Sequence, residues 1–302
     1  MHNETGKALA IRFALPSEAL RPFVTTYYWT EIGIDEDDPL IEDRYHPEWG
    51  NLRFIRSNIC RAAHPGEEWT NVPQFCVSGP SSLATAFQVG RGTTWGIGLM
   101  PLGWAKFIGG AADDYADRYV DGAADPAFLA FHGLADKLLA GEGSFAAELK
   151  LIEEHMAGLL DREVPNETAI TAINAELVDP ELGTVVELAE RVNMTVRSLE
   201  RLSRRAFGFP PKLLLRRQRF LRSLAQFMLD PSLKWLSALD YQYHDQAHFV
   251  RDFKRFMGMS PSAYAKLDKP LLVAAAQARM EIAGQAVQGL HAPTSTGAKQ
   301  RD

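Results

Sequence analysis

Cysteine is scarce in this chain of 302 residues: only Cys60 and Cys76 occur, with fifteen residues between them. One pair cannot make the disulfide framework of a small secreted domain, and the spacing fits no zinc motif. Two reduced, partly buried thiols are the plain expectation, with a redox sensor as the alternative. No apolar run approaches the roughly 18 residues that suggest a membrane span. The first residues, MHNETGKALAIRF, lack the basic start and long apolar core of a secretion signal. The expectation is a cytoplasmic protein that does not enter a membrane. Nucleophile elbow, P-loop and dinucleotide fingerprint are missing too. Gly96-Ile97-Gly98 has neither the third glycine nor the strand–helix–strand setting of a nucleotide site. With no catalytic constellation in sight, the chain does not read as an enzyme, and no cofactor is expected.

Hydrophobic residues make up 46% of the chain and charged residues 23%, ordinary values for a globular protein. At roughly 100–200 residues per domain, the length suggests two domains. The net charge of −6 hides a split. Residues 180–268 hold 15 Lys+Arg against 9 Asp+Glu, a net +6, which leaves −12 for the remainder. Binding a polyanion requires a local basic face, not a basic protein.

Residues 1–160 read as an α+β domain. Phe23–Ile34, Asn51–Cys60, Gln74–Pro80, Ala84–Gly90 and Thr93–Pro101 are short, rich in aromatic and β-branched residues, and mostly bounded by Gly, Pro, Asn or Asp. They predict strands of an antiparallel sheet or small barrel. Asp35–Asp38 reads as an exposed acidic loop, and PLGWAKFIGG as the start of a short helix. Ala127–Ala140 and Phe145–Leu160 have helical spacing. His46, Glu48 and His64 invite a metal reading, but Pro47 interrupts the first two and no close His-x-His pair completes a set, so no metal is expected. The tryptophans at 29, 49, 69, 95 and 104, with Tyr27 and Tyr28, read mainly as core and sheet packing. Lining an apolar ligand pocket is the alternative.

Pro165 marks a boundary, after which the pattern is all helix. Asn166–Leu177 predicts a helix with Asn166 as its N-cap. Two segments then repeat one plan of helix, tight turn and basic helix closed by glycine: Val185–Gly208 and Ser232–Gly258. In the first, Thr195 caps the second helix, Val196, Leu199, Leu202 and Ala206 point inward, and Gly208 ends it. In the second, Leu233, Leu236, Leu239 and Tyr243 pack the first helix. The basic helix starts near His244–Asp245, buries Phe249, Val250, Phe253, Phe256 and Met257, and ends at Gly258. A long helix from Pro211 to Leu229 joins the two heads, and Ser260–Pro261 opens a last short helix. Residues 165–268 thus form a helical domain of two helix-turn-helix subdomains. Leu271–Gly289 is Ala-rich and suits a helix, and HAPTSTGAKQRD reads as disordered.

A helix placed this way fits a DNA major groove. Arg pairs with guanine and Gln with adenine through two hydrogen bonds, each good pair giving about 1–3 kcal/mol of discrimination. Residues early in such a helix reach bases and later basic ones reach phosphates. Arg197, Arg201, Gln246 and Arg251 are therefore the expected base readers, and Arg204, Arg205, Lys254 and Arg255 the backbone contacts. The plain alternative is that these are solvated helix faces. For Lys212, Arg216, Arg217, Arg219 and Arg222 on the joining helix, that alternative stands level with DNA contact.

Over about Asn166–Lys266 the chain resembles the AraC/XylS family of bacterial transcription regulators. The resemblance rests on ELAERVNMTVRSLERLSRRAFGFPPKLLLRRQR and above all on DQAHFVRDFKRFMGMSPSAY. It implies two helix-turn-helix subdomains on a rigid helix that enter successive major grooves. The matching base-contact positions are Arg197, Glu200 and Arg201, then Gln246, Ala247, His248 and Arg251, with Thr195 among the phosphate contacts. Ser237, Gln242 and Tyr243 depart from the family's usual Ile, Gly and Phe, and Ser203 stands where an aromatic or large apolar residue is usual. At Gln242 a left-handed turn would cost a non-glycine residue roughly 1 kcal/mol. More weakly, RPFVTTYYWTE, HPEWGNLRF, VSGP and WGIGLMPLGWAKFIG resemble an uncharacterised sensor-like domain found ahead of this module. The whole reads as a regulator of double-stranded DNA, controlled by a small-molecule effector and acting as a homodimer. RNA polymerase is a further partner if the protein activates. The alternatives are an enzyme-like or purely dimerising N-terminal domain fused to a DNA-binding module.

Overall fold

The computed structural model describes residues 8–35, 38–141, 143–229, 240–243 and 245–292. Among the described residues the first 121 positions hold ten strands: β1 (Ala8–Ala14), β2 (Val24–Gly33), β3 (Ile41–Tyr45), β4 (Asn51–Ser57), β5 (Cys60–Ala63), β6 (Thr70–Asn71), β7 (Phe75–Ser78), β8 (Thr85–Val89), β9 (Gly92–Leu99) and β10 (Tyr119–Asp121). They form two antiparallel sheets. One has six strands in the order β1-β2-β9-β4-β7-β10, and the other four in the order β3-β8-β5-β6. Neither closes, so the sheet alternative holds and the small barrel does not. The predicted strand over Asn51–Cys60 divides, because the chain leaves the first sheet after Ser57 and enters the second at Cys60.

Two glycines of the Gly96-Ile97-Gly98 run serve sheet packing. Tyr28 lies opposite Gly96, and a Cβ there would fall 1.9 Å from the Tyr28 ring. A Cβ at Gly98 would fall 2.4 Å from Thr25 Oγ1 and 2.5 Å from the Gln288 amide nitrogen. The glycines let a tyrosine lie across the sheet and let the C-terminal segment approach it closely.

Between β9 and β10 lies α1 (Pro101–Gly103), running into a π-turn at Trp104–Ile108, and after β10 come a 3₁₀ turn at Pro126–Phe131, α2 (His132–Ala140) and α3 (Phe145–Ala157). Glu148 of α3 is buried and clamps this layer to the sheet. It accepts from Arg56 Nη1 at 2.8 Å and from the Trp95 indole at 2.5 Å. Trp49, Trp95, Trp104 and Tyr27 are fully buried, whereas Trp69 is exposed. Cys76 is buried and Cys60 half-buried, and both are free. Burial pushes their thiols up to about 12 and about 11, which keeps them protonated and poorly nucleophilic.

The second half is helical throughout the described residues: α4 (Glu167–Val178), α5 (Val185–Arg191), α6 (Val196–Phe207), α7 (Pro211–Leu229), α8 (Gln246–Met257), α9 (Pro261–Ala265) and α10 (Pro270–Ala283). Asn166 precedes α4 in a left-handed conformation, φ 62°, and its side chain caps nothing. Asparagine tolerates that region, and the backbone turn takes the place of the expected cap. The expected Ala-rich helix is α10, shorter than Leu271–Gly289 because Gly284 ends it in a left-handed cap. The tail beyond residue 292 lies outside the described residues.

One hydrophobic core runs from the first sheet through α2–α4 into α5, α6 and the start of α7. A second joins α7, α8, α9 and α10. α10 also returns to the sheets. Asp43 on β3 accepts from the Leu272 N–H at 2.8 Å, and Arg279 donates to Thr26 Oγ1 at 2.8 Å.

Burial raises the Asp43 carboxyl to about 6. The folded chain thus keeps a proton that the unfolded chain has lost, so this group's stabilisation is complete below about pH 4 and disappears as the pH rises through about 6. Asp43→Asn keeps an oxygen for Leu272 but gives up the one that accepts from Arg44 N–H at 2.7 Å. It is expected to flatten the pH dependence of urea-measured stability over that window. An unaltered pH profile would exclude Asp43 as its source.

Candidate nucleic-acid interface

The first head is α5, a turn and α6. Asn193 makes the turn with φ 52°, and Met194 N–H donates to Ala189 O at 2.8 Å. Thr195 Oγ1 accepts from Ser198 N–H at 3.2 Å and so caps α6, as expected, and Gly208 ends it with φ 80°. Leu199, Leu202, Ser203 and Ala206 are buried. Val196 is not: it is 39% exposed, because the first helical residue sits at the open mouth of the turn rather than over the core. Ser203 is fully buried and its hydroxyl finds no partner among the described residues. Arg197, Glu200, Arg201, Arg204 and Arg205 are all exposed, and among the described residues none forms an ion pair.

In the second head, α8 starts at Gln246 under an Asp245 cap, whose carboxylate accepts from His248 N–H at 2.6 Å. Gly258 ends it with φ 71°. Phe249, Phe253, Phe256 and Met257 are buried, while Val250 is only partly so. Gln246, Ala247, Arg251, Lys254 and Arg255 are exposed. His248 is half-buried: Nε2 lies 3.4 Å from Arg219 Nη2, and its ring packs edge-on against Tyr243. It is the one expected base reader partly turned inward. Leu233, Leu236, Ser237, Leu239 and His244 lie outside the described residues, and with them the first helix of this head.

The basic residues of α7 do structural work. Asp252, with no exposed surface, accepts from Arg216 Nη2 at 2.5 Å, from Arg219 Nη2 at 3.5 Å and from Tyr243 Oη at 3.2 Å. Arg222 pairs with Asp240, whose N–H in turn donates to Ser223 Oγ at 2.8 Å. Arg217 is buried against the N-terminal sheets, its guanidinium 3.8 Å from the Trp49 ring. Of the five basic residues expected on this helix, only Lys212 is exposed. Nothing in single-sequence spacing distinguishes an arginine that meets a buried aspartate from one that meets water. The acids at 240 and 252 were the available signal.

Gln242 does not take the left-handed conformation expected of it. Its φ is negative, and its side-chain amide reaches across to the α4–α5 loop, donating to Pro180 O at 2.6 Å and Leu182 O at 3.1 Å. Tyr241 Oη donates to Pro180 O at 2.7 Å. The two heads are therefore tied directly as well as through α7.

The residues of the metal reading are otherwise engaged. His46 Nε2 is 2.8 Å from Tyr264 Oη, Glu48 pairs with Arg53, and His64 Nδ1 is 3.3 Å from Thr85 Oγ1. Burial lowers His46 to about 3, so its ring is neutral.

A capped helix-turn-helix head and a second capped helix, each with an exposed basic face, have the form of a DNA-binding module. Residues 188–267 match a family model described as a helix-turn-helix domain, and the C-terminal region carries such a domain of the AraC type. Solved structures similar to this chain include ToxT from Vibrio cholerae, with 9% identity over 86% of this chain and 97% of that one and a TM-score of 0.43. Another is the AraC-like transcriptional activator CuxR, with 13% identity over 72% and 87% and a TM-score of 0.30. No curated protein matches the sequence. The domain supports a DNA-binding transcriptional regulator.

Asp252→Ala would leave Arg219 and Tyr243 buried without their acceptor. It is expected to cost about 3–5 kcal/mol of stability in the second head. Native-state hydrogen exchange should show it as lost protection in α8 with α3 unaffected. Equal protection in α8 of both proteins would refute the role given to Asp252.

Proposed function

We propose that this chain is a sequence-specific transcription regulator that lays α6 and α8 into two successive major grooves of double-stranded DNA. The observation that carries the reading is the contrast between two sets of arginines. Those on α7 are taken up by Asp240, Asp252 and the N-terminal sheets. Those on α6 and α8 are exposed and unpaired among the described residues. A cation left without a protein partner on a capped helix is available to a phosphate or a base edge. In this reading Arg197, Glu200, Arg201, Gln246, Ala247, His248 and Arg251 face bases, and Thr195, Arg204, Arg205, Lys254 and Arg255 face phosphates. The net −12 outside residues 180–268 disfavours contact of the duplex with the rest of the chain.

The regions that serve this function are 1–160 for sensing and dimerisation, 165–268 for DNA, and 269–302 as a C-terminal segment. The protein acts in the cytoplasm as a homodimer under effector control, and as an activator it would also touch RNA polymerase. The cavity between the two sheets is the place for an effector.

Selection of bound duplexes from a random pool by the full-length protein tests the reading. It should enrich two sequence blocks about one helical turn apart. Enrichment of a single block, or none, would count against two reading heads. Arg251→Ala is expected to relax preference at one base pair at a cost of about 1–3 kcal/mol. Uniform weakening on all sequences would strip Arg251 of its base-reading role. Lys254→Ala is expected to lower the slope of log affinity against log salt by about one unit. An unchanged slope would remove it from the phosphate contacts.

A further inference from the structure

Between the two sheets lies a cavity of about 130 Å³ that α10 closes. Ile11, Phe13, Ile32, Phe87 and Val89 from the sheets and Leu271 from α10 form apolar walls. The polar lining is unbalanced in charge. Arg53 is neutralised by Glu48, and Arg44 by Glu42 at 3.6 Å. Arg279, from α10, forms no ion pair among the described residues; Glu48, already paired with Arg53, acts on it only at longer range. It is 9% exposed, stacks 4.7 Å from the Phe13 ring and donates one hydrogen bond, to Thr26. A guanidinium has five N–H donors, and burying its charge without a counter-ion is costly. Tyr28 Oη is buried in the same lining beside the Arg53 guanidinium, and its O–H has no acceptor among the described residues. Tyr28, Arg53, Glu48 and Arg279 are near enough to perturb one another's ionisation, so they form one polar cluster.

We propose that this cavity binds a compact organic carboxylate, its apolar body against the sheet walls and its carboxylate on Arg279 and Tyr28. The inference rests on reading the N-terminal region as a sensor, and it names the class of molecule sensed. The single uncompensated positive charge matches a monoanion better than a phosphate, which carries close to two negative charges at neutral pH. The planar guanidinium fork fits a carboxylate with two parallel hydrogen bonds. A cavity of about 150 Å³ accommodates benzene, so the body here is about one ring in size. Such a ligand would touch β1 and β2 on one side and α10 on the other, and α10 follows the second DNA head after the short helix α9. Occupancy would hold the C-terminal segment down on the sheet.

Calorimetric titration of the full-length protein with phenylacetate, and with its neutral counterpart 2-phenylethanol, tests this. Phenylacetate should bind and the alcohol should bind roughly 10- to 100-fold more weakly, the difference expected of hydrogen bonds to a charged group. Arg279→Met should weaken phenylacetate by a similar factor and leave the alcohol unchanged. Arg279→Lys should retain part of the preference. Equal binding of acid and alcohol by the unmodified protein, or no binding of phenylacetate at millimolar concentration, would overturn the proposal without any variant having to fold. Salt-titrated binding of the selected duplex by the same preparation reads the DNA function separately. Duplex binding without carboxylate binding would end this inference and leave the regulator standing. Carboxylate binding without duplex binding would do the reverse.

Discussion

The arrangement of the two halves depends on one buried cation. Arg217 of α7 carries its guanidinium out of water, lays it on the Trp49 indole and donates to Ser81 O at 2.9 Å. Burial lowers its pKa to about 9, a measure of how poorly the site solvates charge. The stack on indole and the carbonyl of the loop before β8 are what compensate. α7 is consequently no bridge through solvent. It is a core element of both halves, with Leu214 in the core that includes the sheet and Phe220 in the core of the second head. Any movement of α7 relative to the sheets must break the Arg217 contacts.

From that anchor the helix distributes its remaining cations inward. Arg216, Arg219 and Arg222 hold Asp252 and Asp240, and these two acids position α8 and the turn before it. Burial of such pairs is weak evidence for stability but strong evidence for a defined geometry, because removing either partner strands the other. A reading helix needs that definition. An error of an ångström in its placement would separate a guanidinium from the base edge it should meet.

Much of this was legible in the sequence, and for clear reasons. The helices at 196–207, 211–229 and 246–257 announce themselves through caps: Thr195, Pro211 and Asp245 at their starts, Gly208 and Gly258 at two of their ends. Caps are local chemistry and survive without tertiary context. Four of the expected strands appear within a few residues of their predicted limits, since they carry dense aromatic and β-branched residues. β1, β3, β6 and β10 were not read. β6 and β10 are too short to show an alternation, and IEDRY in β3 carries charges that only tertiary partners explain, as Asp43 does by receiving the N-terminus of α10. The exposed arginines of α6 and α8 could be chosen by spacing, whereas the fates of Arg217 and His248 could not. Both turn on residues far away in sequence. The closure of the cavity by α10 lay beyond reach for the same reason, as Arg279 and Thr26 are 253 residues apart.

The tie between the heads is chemically one-sided. The acceptors for Gln242 are the main-chain carbonyls of Pro180 and Leu182, which every residue possesses. The α4–α5 loop can therefore change its side chains freely and still receive the bond, provided its path is kept. Only positions 241 and 242 must supply donors of the right length. Drift in the loop thus leaves no trace of the coupling, and residues 241 and 242 record it: a shortened side chain at 242 would loosen the direct tie, leaving Tyr241 and α7, without altering a residue of either reading helix.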